Sequence, residues 1–307
     1  MLRMSLIFVV VSVSVSACSS EDEGGATVVT TTTHVADLVQ NVAGDRAEVT
    51  GILPAGSDPH DYEPQPSDAK AIADAKVVFT SGGEIDEWAE GLIESSGTDA
   101  SVVELSDSVE LVEDDDGEPD PHWWQDPILT STAVTEIRDG LSEADPDAGN
   151  DYARNAEEYI AELTAADEAI GDCFRQIPED ARKLVTSHDS LGYLADRYGI
   201  EVVGAAIPAL SSQAQPSAGE TADLVELIRN EDVQAVFGEA GLPDDLEQAI
   251  AADAGVEVGG ELYADALGEA GTPGDTYLGA LRSNAATLIK GFSVGSPPSC
   301  PEIGLSG

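Results

Sequence analysis

Three of the four histidines in this chain stand beside aspartate: His60 in DPHDYEP, His122 in DPHWWQDP and His188 in TSHDSLGY. Taken singly, each suits an ordinary loop histidine hydrogen-bonded to a neighbouring carboxylate. Their recurrence at similar intervals, each where an apolar strand-like run gives way to a loop or helix start, points instead to convergence on one cation. A neutral imidazole is the commonest metal ligand among side chains, and a carboxylate beside it fixes its tautomer and orientation.

Three imidazoles leave a tetrahedral site one donor short. The candidate for the fourth is Asp275 in GDTYLGALRSN, just ahead of the last helix. The same residue suits a helix N-cap, and one oxygen can accept backbone N–H bonds while the other binds a cation, so both roles stay open. His34, at the end of the first strand, is read as a structural residue or as an outer partner of the same cleft.

The elements that must position these residues alternate. Short β-branched runs at 26–33, 47–53, 77–80 and 101–105 are separated by helical patterns, as are those at 183–186, 201–206, 235–237 and 256–258. Such alternation predicts an α/β fold of two similar lobes with parallel sheets flanked by helices. Between them Asp145-Pro146 opens a helix, proline being tolerated in a first turn. Tyr152, Ala156, Tyr159, Ile160, Leu163 and Ile170 recur at helical spacing to about Cys173, which reads as one long rigid helix joining the lobes. The expected organisation is an N-terminal lobe over 26–145, a connecting helix over 146–176 and a C-terminal lobe and tail over 177–307. Open parallel sheets bind ligands outside the carboxyl ends of their strands, where His60 and His188 fall.

The chain of 307 residues carries 60 acidic against 13 basic side chains, a formal charge of −47. That excess argues against nucleic acid as a partner, because a polyanion is repelled. Spread along the whole chain, it reads as habitat or lineage bias, although its field also concentrates cations. The run EDDDGEPD at 113–120, directly before His122, reads first as a solvated loop.

The first residues are a targeting signal: Met1-Leu2-Arg3 supplies a positive end and Leu6 to Val15 a short apolar core. Val15-Ser16-Ala17-Cys18 resembles the lipobox of bacterial lipoproteins, which predicts removal of 1–17, lipid on Cys18 and a tether over 18–25; cleavage of an ordinary signal peptide after Ala17 is the alternative. Cys173 and Cys300 are then an even pair in an oxidising compartment, and a disulfide between them is expected, two separate buried thiols being the other reading.

These motifs in this order carry a resemblance. GSDPHDYEPQPSD, DPHWWQDP, TSHDSLGYLADRYG, QPSAGETADLVELIRNEDVQAVFGE and GDTYLGALRSN resemble the metal-binding receptors of ABC-type zinc and manganese importers, the cluster A-I solute-binding lipoproteins. The resemblance covers nearly all of the chain beyond the leader. It implies one buried metal between two lobes, with ligands on His60, His122, His188 and Asp275. It also implies a monomer, extracytoplasmic and anchored to the membrane by lipid, that serves an ABC permease and its ATPase and is not an enzyme.

Family members with glutamate at the third position are associated with manganese; here that position is His188, and three imidazoles with one carboxylate suit Zn²⁺. Manganese or iron within the same class is the main alternative. A secreted zinc hydrolase and an adhesin with a structural metal are the readings from other classes. No H-E-x-x-H spacing supports the former, although Glu63 or Glu239 could be cast as its base.

Overall fold

The computed structural model describes residues 26–113, 117–293, 295 and 297–305. The expected leader, Cys18 and the tether lie outside these residues, as do 114–116 of the acidic run. Among the described residues no helix is long and apolar enough to cross a membrane.

Strands β1 (Ala26–Thr30), β2 (Ala47–Gly51), β3 (Val77–Thr80) and β4 (Ser101–Glu104) form a parallel sheet in the order β2-β1-β3-β4. Helices α1 (Thr33–Ala43), α2 (Pro66–Ala73) and α3 (Trp88–Ser96) make the connections, and α4 (Pro127–Ala144) follows the sheet. In the second half β5 (Lys183–His188) pairs parallel with β6 (Glu201–Ile207), and β7 (Ala235–Glu239) with β8 (Glu257–Leu262). Strand β5 packs beside β7. Helices α6 (Gly192–Tyr198), α7 (Ala218–Asn230) and α8 (Asp245–Ala254) connect them, and α9 (Tyr277–Phe292) follows β8.

Local chemistry explains the boundaries. Thr32 caps α1 by accepting from Val35 N–H, Asp126 caps α4 ahead of Pro127, and Ser217 and Glu220 form a reciprocal capping box on α7. The period-two alternation of the inner strands divides their side chains between separate cores. Val28, Val77 and Phe79 face one apolar cluster and Val29 and Val78 another; Leu184 and Phe237 face the first cluster while Val185 and Val236 face a third. The first cluster is common to both halves, running from Ala26 to Leu305 through the helices between the sheets.

The spine of that common core is α5 (Gly149–Phe174), 26 residues and about 39 Å long at 1.5 Å per residue. Its stripe of Tyr152, Ala156, Tyr159, Leu163, Ile170 and Phe174 packs on α1, α4 and α9. The sequence reading starts this helix at Pro146; residues Pro146–Ala148 form instead a separate 3-10 turn before it. Cys173, one residue before the end of α5, is joined to Cys300 by a disulfide with Cα atoms 6.0 Å apart, which ties the tail to the spine.

The largest departure from expectation is in β8. The sequence reading ends this strand at Val258, because Gly259-Gly260 looks like a turn. Instead the strand continues to Leu262, with a register shift opposite Val236 and Phe237. The glycines belong there on packing grounds: a Cβ on Gly259 would lie 2.5 Å from Phe237 Cε1, and Gly260 has φ +132°.

Candidate metal centre

Four side chains from distant parts of the chain meet between the halves. One donor atom from each of His60, His122, His188 and Asp265 lies within 4.8 Å of all the others. Asp265 Oδ2 stands 3.3 Å from His60 Nε2 and 3.1 Å from His188 Nε2, and its Oδ1 stands 3.4 Å from His122 Nε2. The three histidines singled out in the sequence are thus brought together.

Asp275 is not with them. It is exposed, and its Oδ2 accepts from the N–H of Gly271 at 2.8 Å, closing the carboxylate on its own loop. Nor does it cap α9, because Thr276 supplies the capping oxygen. The place expected for it is held by Asp265, three residues beyond the end of β8, where Asn284 of α9 accepts from Tyr263 N–H and donates to Tyr263 O.

Each donor is oriented from behind. His60 sits in a 3-10 turn, Pro59–Asp61, whose cap Asp58 accepts from His60 N–H at 2.8 Å. Asp120 Oδ1 takes both the backbone N–H of His122, at 2.9 Å, and its ring Nδ1, at 2.6 Å. His188 ends β5, and Glu239 at the end of β7 places Oε2 3.0 Å from its Nδ1. The other Glu239 oxygen accepts from Asp265 N–H at 3.2 Å, so one buried carboxylate braces two donors. With carboxylates on Nδ1 of His122 and His188, the bare lone pairs of their Nε2 atoms point inward.

The segment carrying Asp265 is also held by the opposite half. Trp124 Nε1 and Gln125 Nε2 donate to Ala264 O at 2.9 and 2.8 Å. Leu267 N–H donates to Thr33 Oγ1 at 2.8 Å, and Gly56 N–H to Leu267 O at 2.8 Å. His34 takes no part in the donor set. It is buried on α1 with its ring stacked on Trp124, 5.0 Å between centroids, and burial drives its pKa down to about 3, leaving it neutral.

The electrostatics favour positive charge at the meeting point. Burial by itself disfavours the imidazolium of His122, yet Asp265 and Asp120 outweigh it and push its pKa up to about 9. His188 is likewise raised, against its burial, by Asp265 and Glu239. Burial would raise the carboxyl of Asp265, but the facing imidazoles of His188 and His122 hold it well below the usual carboxylate range. The three Nε2 atoms and both oxygens of Asp265 are buried without a hydrogen-bond partner. Leaving such a group unpaired costs about 1–3 kcal/mol. A cluster of five such atoms, all lone-pair donors, is satisfied together by one cation and by little else.

The sequence motifs could have led to Asp265 by the rule that marked His188, since both follow the carboxyl end of a strand. What hid it was the misplaced end of β8. Glu239, in FGE at the end of β7, was considered only as a hydrolase base, not as the brace it forms.

Comparison with known proteins agrees with this geometry. The chain is similar to the manganese-binding lipoprotein MntA of Halalkalibacterium halodurans, at 35% identity over 297 residues that span 94% of this chain and 98% of the relative. It is similar to the iron-binding protein YfeA of Yersinia pestis, at 31% identity and 86% of each chain. Among solved structures the periplasmic zinc binding protein TroA of Treponema pallidum superposes with a TM-score of 0.83 at 27% identity, over 88% of this chain and all of that one. Residues 28–291 match the family described as ZnuA, zinc-uptake complex component A, periplasmic, and the chain belongs to that family, the substrate-binding proteins of metal ABC importers.

Proposed function

We propose that this chain captures Zn²⁺ outside the cytoplasm and delivers it to its permease and ATPase. The observation that carries this reading is the donor set: three buried imidazole nitrogens and one carboxylate, unpartnered and within 4.8 Å of one another. Zinc takes four N/O ligands at about 2.0–2.2 Å in tetrahedral geometry, and such a set closes its coordination without an open position for water. In this reading residues 1–17 are removed, Cys18 carries the lipid, and the lobes over 26–145 and 177–307 tilt slightly about the helix between them to load and unload the site as a monomer.

Manganese is the second reading, and a specific feature favours it. Both oxygens of Asp265 face imidazoles and both lack partners, so a bidentate carboxylate would raise the coordination number to five. Two relatives are named for manganese or iron.

Titration calorimetry of the protein without its leader, with Zn²⁺ and Mn²⁺ in separate and competing runs, tests the proposal. One zinc per chain, tighter binding of zinc than manganese, and loss of more than about a hundredfold in affinity for His122→Ala are expected. Equal zinc affinity of the variant and the parent would overturn it.

A further inference from the structure

Access to the donors is uneven. The side chains of His122, His188 and Asp265 are 0–1% exposed, whereas that of His60 is 11% exposed. His60 is also the one of the four that lines a cavity of about 860 Å³, with Tyr62, Ile85 and Trp88 on one side and Ala209 and Leu210 on the other. A cation arriving through this cavity meets His60 first.

The far wall of the cavity is the start of the loop over residues 208–217, which leaves β6 and reaches across to the first half. At its root Ala209 O accepts from the N–H of Asp189, the residue after His188, at 3.1 Å. At its tip Ser212 Oγ–H donates to Asp58 Oδ2 at 2.5 Å, and Gln213 Nε2 donates to the same oxygen at 3.4 Å. The other oxygen of Asp58 holds His60 N–H. One carboxylate therefore serves the turn that carries the first donor and a loop rooted beside the third.

We propose that the loop over 208–217 is a gate on the access cavity and that Asp58 is a positioning residue that latches it, so that closing the gate and placing the His60 imidazole are one event. A hydrogen bond from a hydroxyl to a carboxylate is among the stronger ones a protein makes. Here it crosses between halves and is half-buried, so breaking it frees the loop without exposing a core. The latch acts on the rates of loading and release more than on the strength of the loaded site, because Ser212 touches no donor. This inference rests on the metal-receptor reading above.

The test is stopped-flow release of zinc from the loaded full-length mature protein into excess chromogenic chelator. Removing a hydrogen bond to a charged group predicts release about tenfold faster in Ser212→Ala, with uptake accelerated to a similar degree and the equilibrium affinity within about threefold of the parent. Ser212→Thr, which keeps the hydroxyl, should restore slow release. Asp58→Ala should speed release and weaken affinity together, because it frees the His60 turn as well. If the parent takes up no zinc, the cargo reading fails and the gate with it. If the parent loads one zinc and both Ser212→Ala and Asp58→Ala release it at the parent rate, the gate alone is overturned.

Discussion

The indole N–H of Trp124 donates to the carbonyl of Ala264 at 2.9 Å, so the residue two places after one donor holds the residue one place before another. The two belong to opposite halves, and the bond is buried. Asp265 is thereby fixed to the first half through its backbone and to the second through Glu239.

Trp124→Phe retains the aromatic face on His34 but deletes this donor. Gln125 still serves the same carbonyl. A loss of about 1 kcal/mol in stability is therefore expected, the usual worth of one such bond. Thermal unfolding without metal should show a lower midpoint, and zinc affinity should fall by a few-fold as the Asp265 segment loosens.

Asp265→Asn and Asp275→Asn form a matched pair of tests. The first removes the one carboxylate among the four donors and should cost more than about a hundredfold in zinc affinity, exceeding the roughly 10–100-fold typical of losing an outer partner. The second alters an exposed loop carboxylate and should leave affinity within about twofold. Calorimetry reads both; the opposite ranking would return the fourth-donor role to Asp275.

The contrast between these two aspartates shows where the sequence was readable. His60, His122 and His188 were legible because histidine is scarce here and each sits in a motif with its own carboxylate. The parallel sheets and the spine were legible because β-branched runs alternate with helical stripes that hold their period. Aspartate carries no such signal in a chain with 60 acidic residues, where any loop offers candidates. Finding Asp265 required the true end of β8, which depends on Phe237 occupying the space above Gly259, a contact between strands that no local pattern reveals. Helix α4 was unread for a similar reason: its buried positions, Thr130, Ala133, Val134, Ile137 and Leu141, mix small and polar residues into a faint stripe.

Glu239→Gln keeps an acceptor for Asp265 N–H but removes the negative charge facing His188 Nδ1. Zinc affinity is expected to fall about 10–100-fold, as for other outer carboxylates that orient a metal-binding imidazole. Circular dichroism should show an unchanged fold, which separates this effect from unfolding.

Acid should oppose loading. His122 rises from its ordinary value of 6.5 to about 9 in the metal-free fold. Its protonation therefore stabilises that fold fully below about pH 6.5, and the contribution fades as pH climbs through about 9. A cation competes with protons for the same nitrogens, so the rise in melting temperature on adding zinc should be smallest near pH 6 and grow up to about pH 9. Scanning calorimetry at fixed total zinc checks this; an increment that is flat or shrinks with pH would contradict it.

The bond between Cys173 and Cys300 encloses everything that follows the spine, spanning 127 positions. Within a chain-entropy account a ring of that size contributes roughly 5 kcal/mol, and reduction should lower the melting point accordingly. It also makes the second half tolerant of damage: a protease that cuts any one loop between these cysteines leaves two pieces still covalently joined, which migrate as a single band until a reductant is added.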